Sequence, residues 1–314
     1  MLSIKTIENN ITSLSKSVIR TLAYYDIFNY PLTIEEIFDL LDRNSIGIED
    51  IRKEISLLLS HNIIFQKNDY YLLNPDYSRV ANRIEGNERA QKRMRTARKF
   101  SKLISMFPYV RAVFLSGSIS KGYLDKKADI DYFIVTKENR LWISKFLLTL
   151  FKKIFLLNSY KNFCINYFIS EKNLEIEEKN IYTATELATL IPVYGSLVYD
   201  EFYSANKWIK NYFPNYPKRN TAKISMGGVR FTQRIIESLI NNKFGDRLDD
   251  YFMDLFLSFD RKKYGNLDEN TFKVAFKTRK NVSKHHPNYF QQRVLTALQS
   301  KIKQLESAHN IILN

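Results

Sequence analysis

The sequence has one cysteine, Cys164, with nine glycines, seven prolines and four histidines in 314 residues. One cysteine forms no internal disulfide, and with so few histidines it makes no structural zinc site of the usual ligand spacing. Long apolar runs are also missing. The most hydrophobic segment, LWISKFLLTLFKKIFLL (141–157), is broken by Lys145, Lys152 and Lys153, which excludes a membrane-spanning helix there. The opening residues, MLSIKTIENNITSLSK, hold no apolar stretch of signal-peptide length. Together these absences predict a soluble, cytoplasmic protein with no membrane partner.

Cations and aromatic rings are abundant. Forty-eight Lys and Arg stand against 33 Asp and Glu, a net charge of +15, with 20 Tyr and 22 Phe. The aromatic content and a 45% hydrophobic fraction exclude a disordered chain. The positive balance attracts polyanions such as nucleic acid or nucleotides, although lysine enrichment also serves solubility.

The length implies more than one structural unit. Residues 1–78 read as a winged-helix-like domain. Apolar positions 14, 18, 22 and 25 mark a first helix, and Thr33 with Glu36 forms a capping box that opens a second. Ile48, Ile51, Ile55 and Leu58 mark a third, before a hairpin across QKND. The third helix carries a net charge of −1, the wrong sign for a groove-reading helix, so duplex DNA is an unlikely partner and a packing role is favoured. Residues 79–107 form a basic connecting helix whose segment 79–102 carries nine basic and two acidic residues. It reads either as a solvated face or as one wall of a channel for phosphate-bearing ligands.

Residues 108–178 alternate strands (109–116, 130–135, 162–170) with a helix, a compact α/β core with a mixed sheet inside an overall α+β chain. Residues 179–314 read as a C-terminal helical domain, all helical from about Asn180.

The chemistry concentrates in LSGSISKGYLDKKADIDYFIV, Leu115 to Val135. A Gly-Ser turn at a strand exit lets backbone amides approach phosphate oxygens, so Gly117, Ser118, Ser120, Lys121 and Gly122 are candidate nucleotide-binding residues. Asp129 and Asp131 flank one residue, which on a strand puts both carboxylates on one face, where a hard cation such as Mg²⁺ or Mn²⁺ relieves their repulsion.

These residues resemble the active-site signature of the polymerase-β-type nucleotidyltransferase superfamily. The resemblance implies a Gly-Ser turn that holds a nucleoside triphosphate, ATP most simply, and two acids that hold divalent metal. It implies transfer of a nucleoside monophosphate to a hydroxyl on a protein, an RNA or a small molecule. The superfamily usually carries a third carboxylate on a later strand. In FCINYFIS alternation places Phe163, Ile165, Tyr167 and Ile169 on one face and Cys164, Asn166, Phe168 and Ser170 on the other, so the neutral Asn166 stands at the third catalytic position. Glu171, Glu175, Glu177 or Asp125 remains available as a substitute. A catalytically impaired nucleotide-binding regulator and a winged-helix DNA-binding regulator are the alternatives. Lys273, Lys277, Arg279, Lys280 and Lys284 suggest a second basic wall, Met226-Gly227-Gly228 a point of close packing or a helix start, and Tyr194-Gly195 a turn where a base stacks.

Overall fold

A computed structural model describes residues 11–159, 161–269, 272, 276–285 and 290–313. The N-terminal segment folds as three helices, α1 (Ser13–Asp26), α2 (Ile34–Leu40) and α3 (Ile48–Ser60), and an antiparallel hairpin, β1 (Phe65–Lys67) with β2 (Tyr70–Leu72). Thr12 accepts from the Ser15 amide to start α1, and the Thr33/Glu36 capping box starts α2. Helix α4 (Ser78–Ile104) leads into β3 (Val110–Ser116), a one-turn helix α5 (Gly117–Ser120), β4 (Asp131–Thr136), α6 (Leu141–Phe155) and β5 (Cys164–Ser170). Then follow α7 (Ile181–Thr189), β6 (Ile191–Tyr194), α8 (Ser196–Ala205), α9 (Phe231–Ile240), α10 (Lys243–Tyr264), β7 (Phe276–Arg279), β8 (Val282–His285) and α11 (Phe290–His309).

The chain past Asn180 is therefore not all helical. Strands β6, β7 and β8 join the core sheet, whose order is β6-β3-β4-β5-β8-β7. Only the β4–β5 pair is parallel, because α6 crosses over between them while the other neighbours run antiparallel.

Alternation along the central strands feeds two cores. Ala112, Phe114, Phe133 and Val135 face one side, where they pack with α7, α8 and the N-terminal helices. Val113, Leu115, Tyr132 and Ile134 face the other, against α4, α6 and α10. The sheet is thus buried on both faces, and the N-terminal segment shares a core with it. The C-terminus closes that core. The Arg20 guanidinium donates to the Leu313 carbonyl at 2.7 Å, and Lys301 pairs with Asp26 at 2.5 Å.

Alternation fails at the start of β3, between Val110 and Ala112, and again in β5. Between β4 and β5 the register shifts from Tyr132↔Ile165 to Phe133↔Tyr167, leaving Asn166 as the extra residue of a bulge. Ile165 and Tyr167 consequently pack in different cores, and the two-face assignment for this strand does not hold.

Met226-Gly227-Gly228 is a packing point. A Cβ on Gly227 would lie 3.2 Å from the Gly195 Cα. The Tyr194 hydroxyl donates to the Gly228 carbonyl at 2.8 Å, so that ring anchors this contact. Gly195 itself has φ +81°, and a Cβ there would meet the Arg111 carbonyl oxygen at 2.5 Å. Both the left-handed backbone and the collision with main chain oppose any side chain, so Gly195→Ala is expected to cost about 2–4 kcal/mol in urea unfolding.

Candidate active site

The last residue of β3, Ser116, pairs with the first of β4, Asp131. This register sets the site. Gly117 follows with φ +67°, and a Cβ on it would fall 2.3 Å from Asp131 Oδ2. Glycine is required because its backbone lies directly against the carboxylate. The chain then closes the single turn of α5, with the Lys121 amide donating to the Ser118 carbonyl at 3.1 Å.

A cleft of about 470 Å³ opens at this end of the sheet. Gly117, Ser118, Lys121, Asp131 and Asn166 line it, together with Glu178, Glu186, Lys284 and an aromatic wall that includes Tyr24, Phe28, Tyr30, Tyr167 and Tyr182. Ser120 points elsewhere, its hydroxyl donating to the Gly117 carbonyl at 2.8 Å and lying 3.3 Å from Thr189 Oγ1. Its role is to brace the turn. Gly122 has φ +72° and open space where a side chain would stand; it shapes the loop outside the cleft lining. Asp129 precedes β4, half-buried, outside the lining residues but near enough for its charge to bear on Asp131 and Cys164.

Asn166 is bound into a short network. Its Nδ2 donates to Asp131 Oδ1 at 2.8 Å, and its Oδ1 accepts from the Cys164 thiol at 3.2 Å. The bulge aims the amide at the acid. The buried Cys164 thiol, pushed up by desolvation and by Asp131, stays protonated and acts as a donor.

Two acidic groups come close to Asp131. Burial first, then the charges of Glu186 and Asp129, push its carboxyl up to about 6. Glu186, on α7, is the carboxylate that strand-based reasoning missed. It follows Asn166 by twenty positions on a helix, and sequence spacing carries no signal of its approach. It accepts from Lys121 Nζ at 2.8 Å. The loop acids are engaged elsewhere. Glu175 pairs with Lys179 at 2.7 Å, Glu177 with Lys277 at 2.8 Å, and Glu171 lies 3.9 Å from Arg111. Asp125 lines the cleft, accepting from the Tyr123 hydroxyl at 2.6 Å.

The basic helix α4 does not wall the cleft; none of its residues is among the lining. Its arginines brace the loop between the turn and the acids instead. Arg89 donates to the Leu124 carbonyl at 2.8 Å, and Arg93 to the carbonyls of Ala128 at 3.1 Å and Lys161 at 2.6 Å. The second basic wall is likewise spent on ion pairs. Lys277 and Arg279 bind Glu177, and Lys280 binds Asp249 and Asp250. Among the described members of that group only Lys284 reaches the cleft, 3.9 Å from Glu178; Lys273 lies outside the described residues.

Residues 96–200 match the family model described as a nucleotidyltransferase domain. That stretch takes in β3, β4, β5, the Gly-Ser turn, the acidic pair and α7, and it is a nucleotidyltransferase domain of the polymerase-β type. A domain of this kind transfers a nucleoside monophosphate from a nucleoside triphosphate. No curated protein and no solved structure matches the chain.

The raised carboxyl of Asp131 has a sign. Its protonated form is favoured in the folded state, so the stabilisation it gives is complete below the usual carboxylate range and is lost as pH rises through about 6. Asp131→Asn removes that loss. Without added metal, the variant is expected to exceed the parent in stability by about 2–3 kcal/mol at pH 8 and to match it near pH 4, as read by urea unfolding.

Proposed function

We propose that the protein moves a nucleoside monophosphate, most simply AMP, onto a hydroxyl of a protein, an RNA or a small molecule. The observation that carries this reading is the contact of Gly117 with the Asp131 carboxylate, which sets a phosphate-binding turn against a buried acid. In the reaction the acceptor oxygen bonds to the α-phosphorus, the bond from that phosphorus to the bridging oxygen breaks, and pyrophosphate leaves.

The donor set fits a divalent ion. Asp129 and Asp131 are oxygen donors whose mutual repulsion Lys121 offsets only in part, and Asn166 holds the Asp131 carboxylate in place without neutralising it. Among the described residues no group of three or more His, Cys, Asp or Glu side chains converges as a complete metal cage. The pair is thus suited to Mg²⁺ or Mn²⁺ that completes its shell with phosphate oxygens. When bound, the ion offsets the charge of the triphosphate. The cleft itself supplies little positive charge. Lys121 and Lys284 are its two lining lysines, and each faces a glutamate.

The protein's own groups have distinct roles. Ser118 and the amides of its turn hold the β- and γ-phosphates, while Lys121 exchanges Glu186 for phosphate oxygen. Glu186, freed from Lys121, takes the proton of the acceptor hydroxyl in place of the carboxylate that Asn166 does not provide. Glu186→Gln is expected to lower turnover about 10²-fold with little change in the KM for nucleotide.

Asn166 favours a second reading, a nucleotide-binding regulator without turnover. The winged-helix-like segment, whose Tyr24, Phe28 and Tyr30 wall the cleft, would then report occupancy to a partner. Incubation with each α-labelled nucleoside triphosphate, Mg²⁺ or Mn²⁺ and a cell extract separates the two. Label transfer strongest with ATP and abolished by Asp129→Ala/Asp131→Ala is expected. Nucleotide binding without transfer from any triphosphate would leave the regulator.

A further inference from the structure

Helix α9 is amphipathic in the reverse sense. The residues it buries are polar. The Gln233 amide donates to the carbonyls of Ser105 at 3.0 Å and Phe107 at 2.8 Å. The Glu237 carboxylate accepts from the Arg111 guanidinium at 2.7 Å and from the Tyr109 amide at 2.6 Å. At about 3.6 residues per turn, Phe231, Ile235 and Leu239 form a row on the opposite side. They are 76%, 48% and 70% exposed. Exposed Met226 precedes the row and exposed Phe244 follows it.

The exposed charges that flank this row in sequence have one sign. Lys223, Arg230, Arg234, Lys243 and Arg247 are all exposed, and none is in a salt bridge among the described residues. The only acids between Lys223 and Arg247 are Glu237 and Asp246. The first is neutralised by Arg111 and the second by Arg140.

We propose that α9 is a peripheral membrane contact that seats on anionic lipid, its apolar row entering the headgroup boundary and the flanking cations meeting lipid phosphates. The shape favours lipid over a protein helix. Of the ten residues of α9 only Gln233 and Glu237 are buried, so the element stands out as a ridge, whereas helix docking needs a groove. The charge disfavours a second copy of this chain, since a two-fold contact would set cations against cations. It disfavours nucleic acid as well, because an apolar row gains nothing from a phosphate backbone. No helix among the described residues is long and apolar enough to cross a membrane; the proposed contact is interfacial, and in this the proposal departs from the expectation of no membrane partner.

The surface is separate from the cleft. Glu237 holds Tyr109 and Arg111 at the start of β3, and the Gly-Ser turn follows its end at Ser116. A seven-residue strand, about 20 Å, lies between them. Lipid seating therefore leaves the site open, and substitutions on the ridge spare it.

Flotation of the full-length protein with vesicles tests the proposal. Vesicles of phosphatidylcholine alone are compared with others holding about 30% phosphatidylglycerol, at low and high salt. Binding is expected on the anionic vesicles, weakened by salt and about tenfold or more lower on neutral ones. Phe231→Ser/Leu239→Ser and, separately, Arg230→Glu/Arg234→Glu are each expected to lower it about tenfold, with circular dichroism and nucleotide binding unchanged. Absence of binding to anionic vesicles, or equal binding by parent and variants, would overturn it. So would a concentration-dependent dimer in light scattering that Leu239→Ser abolishes, which would make the ridge a contact between copies.

Discussion

Everything at the site depends on one close approach, that of the Gly117 backbone to the Asp131 carboxylate. It exists because Ser116 and Asp131 are paired at the ends of adjacent antiparallel strands, so the turn leaving one strand and the acid opening the next share a corner. A left-handed glycine admits the approach. The buried acid then needs partners, and the bulge of β5 supplies one by turning Asn166 toward it. The thiol of Cys164 fixes which way the amide faces, because its hydrogen goes to Asn166 Oδ1. The strand irregularity and the lone cysteine thus serve the same carboxylate.

A turn this tight must be held from outside, and the N-terminal segment does so. The Tyr30 hydroxyl donates to the Lys121 carbonyl at 2.7 Å, while the Arg83 guanidinium lies 3.7 Å over the Tyr30 ring and bonds Glu36. Tyr123 fills the space that a side chain at position 86 would take and packs edge-on against Tyr30. Buried cation, ring and hydroxyl form one support. The capping box that starts α2 is part of it, since Glu36 caps that helix and holds Arg83.

How much was legible in the sequence follows from where each signal lies. The Thr33 capping box is local and forms as the sequence reads, because a few neighbouring residues decide it; the spacing of Gly117, Ser118, Asp129 and Asp131 is local too, but only Asp131 of the two acids lies on the strand, with Asp129 ahead of it. Strand β6 escaped notice because it is four residues long and contains Pro192, which an edge position tolerates. Strands β7 and β8, FKTR and VSKH, carry polar and charged residues without a run of apolar alternation. The bulge at Asn166 is invisible because register belongs to the pairing and not to the strand. Glu186 is brought in by the fold alone.

The net charge of +15 misleads most of all, because the cations are not where a polyanion site would need them. Arg79, Arg83, Arg111 and Arg140 are each tied to a carboxylate, and Arg89 and Arg93 spend donors on carbonyl groups. A guanidinium with five donors suits this work of holding loops, which a compact ammonium performs less well. The cleft is left acidic and aromatic. A triphosphate entering it meets Asp131, Glu186 and Glu178 before any uncommitted cation, so its charge must be offset by what arrives with it. The divalent ion proposed above would thus follow from how the arginines were used, whereas Arg230, Arg234, Lys243 and Arg247 stand exposed around α9, apart from the residues that line the cleft.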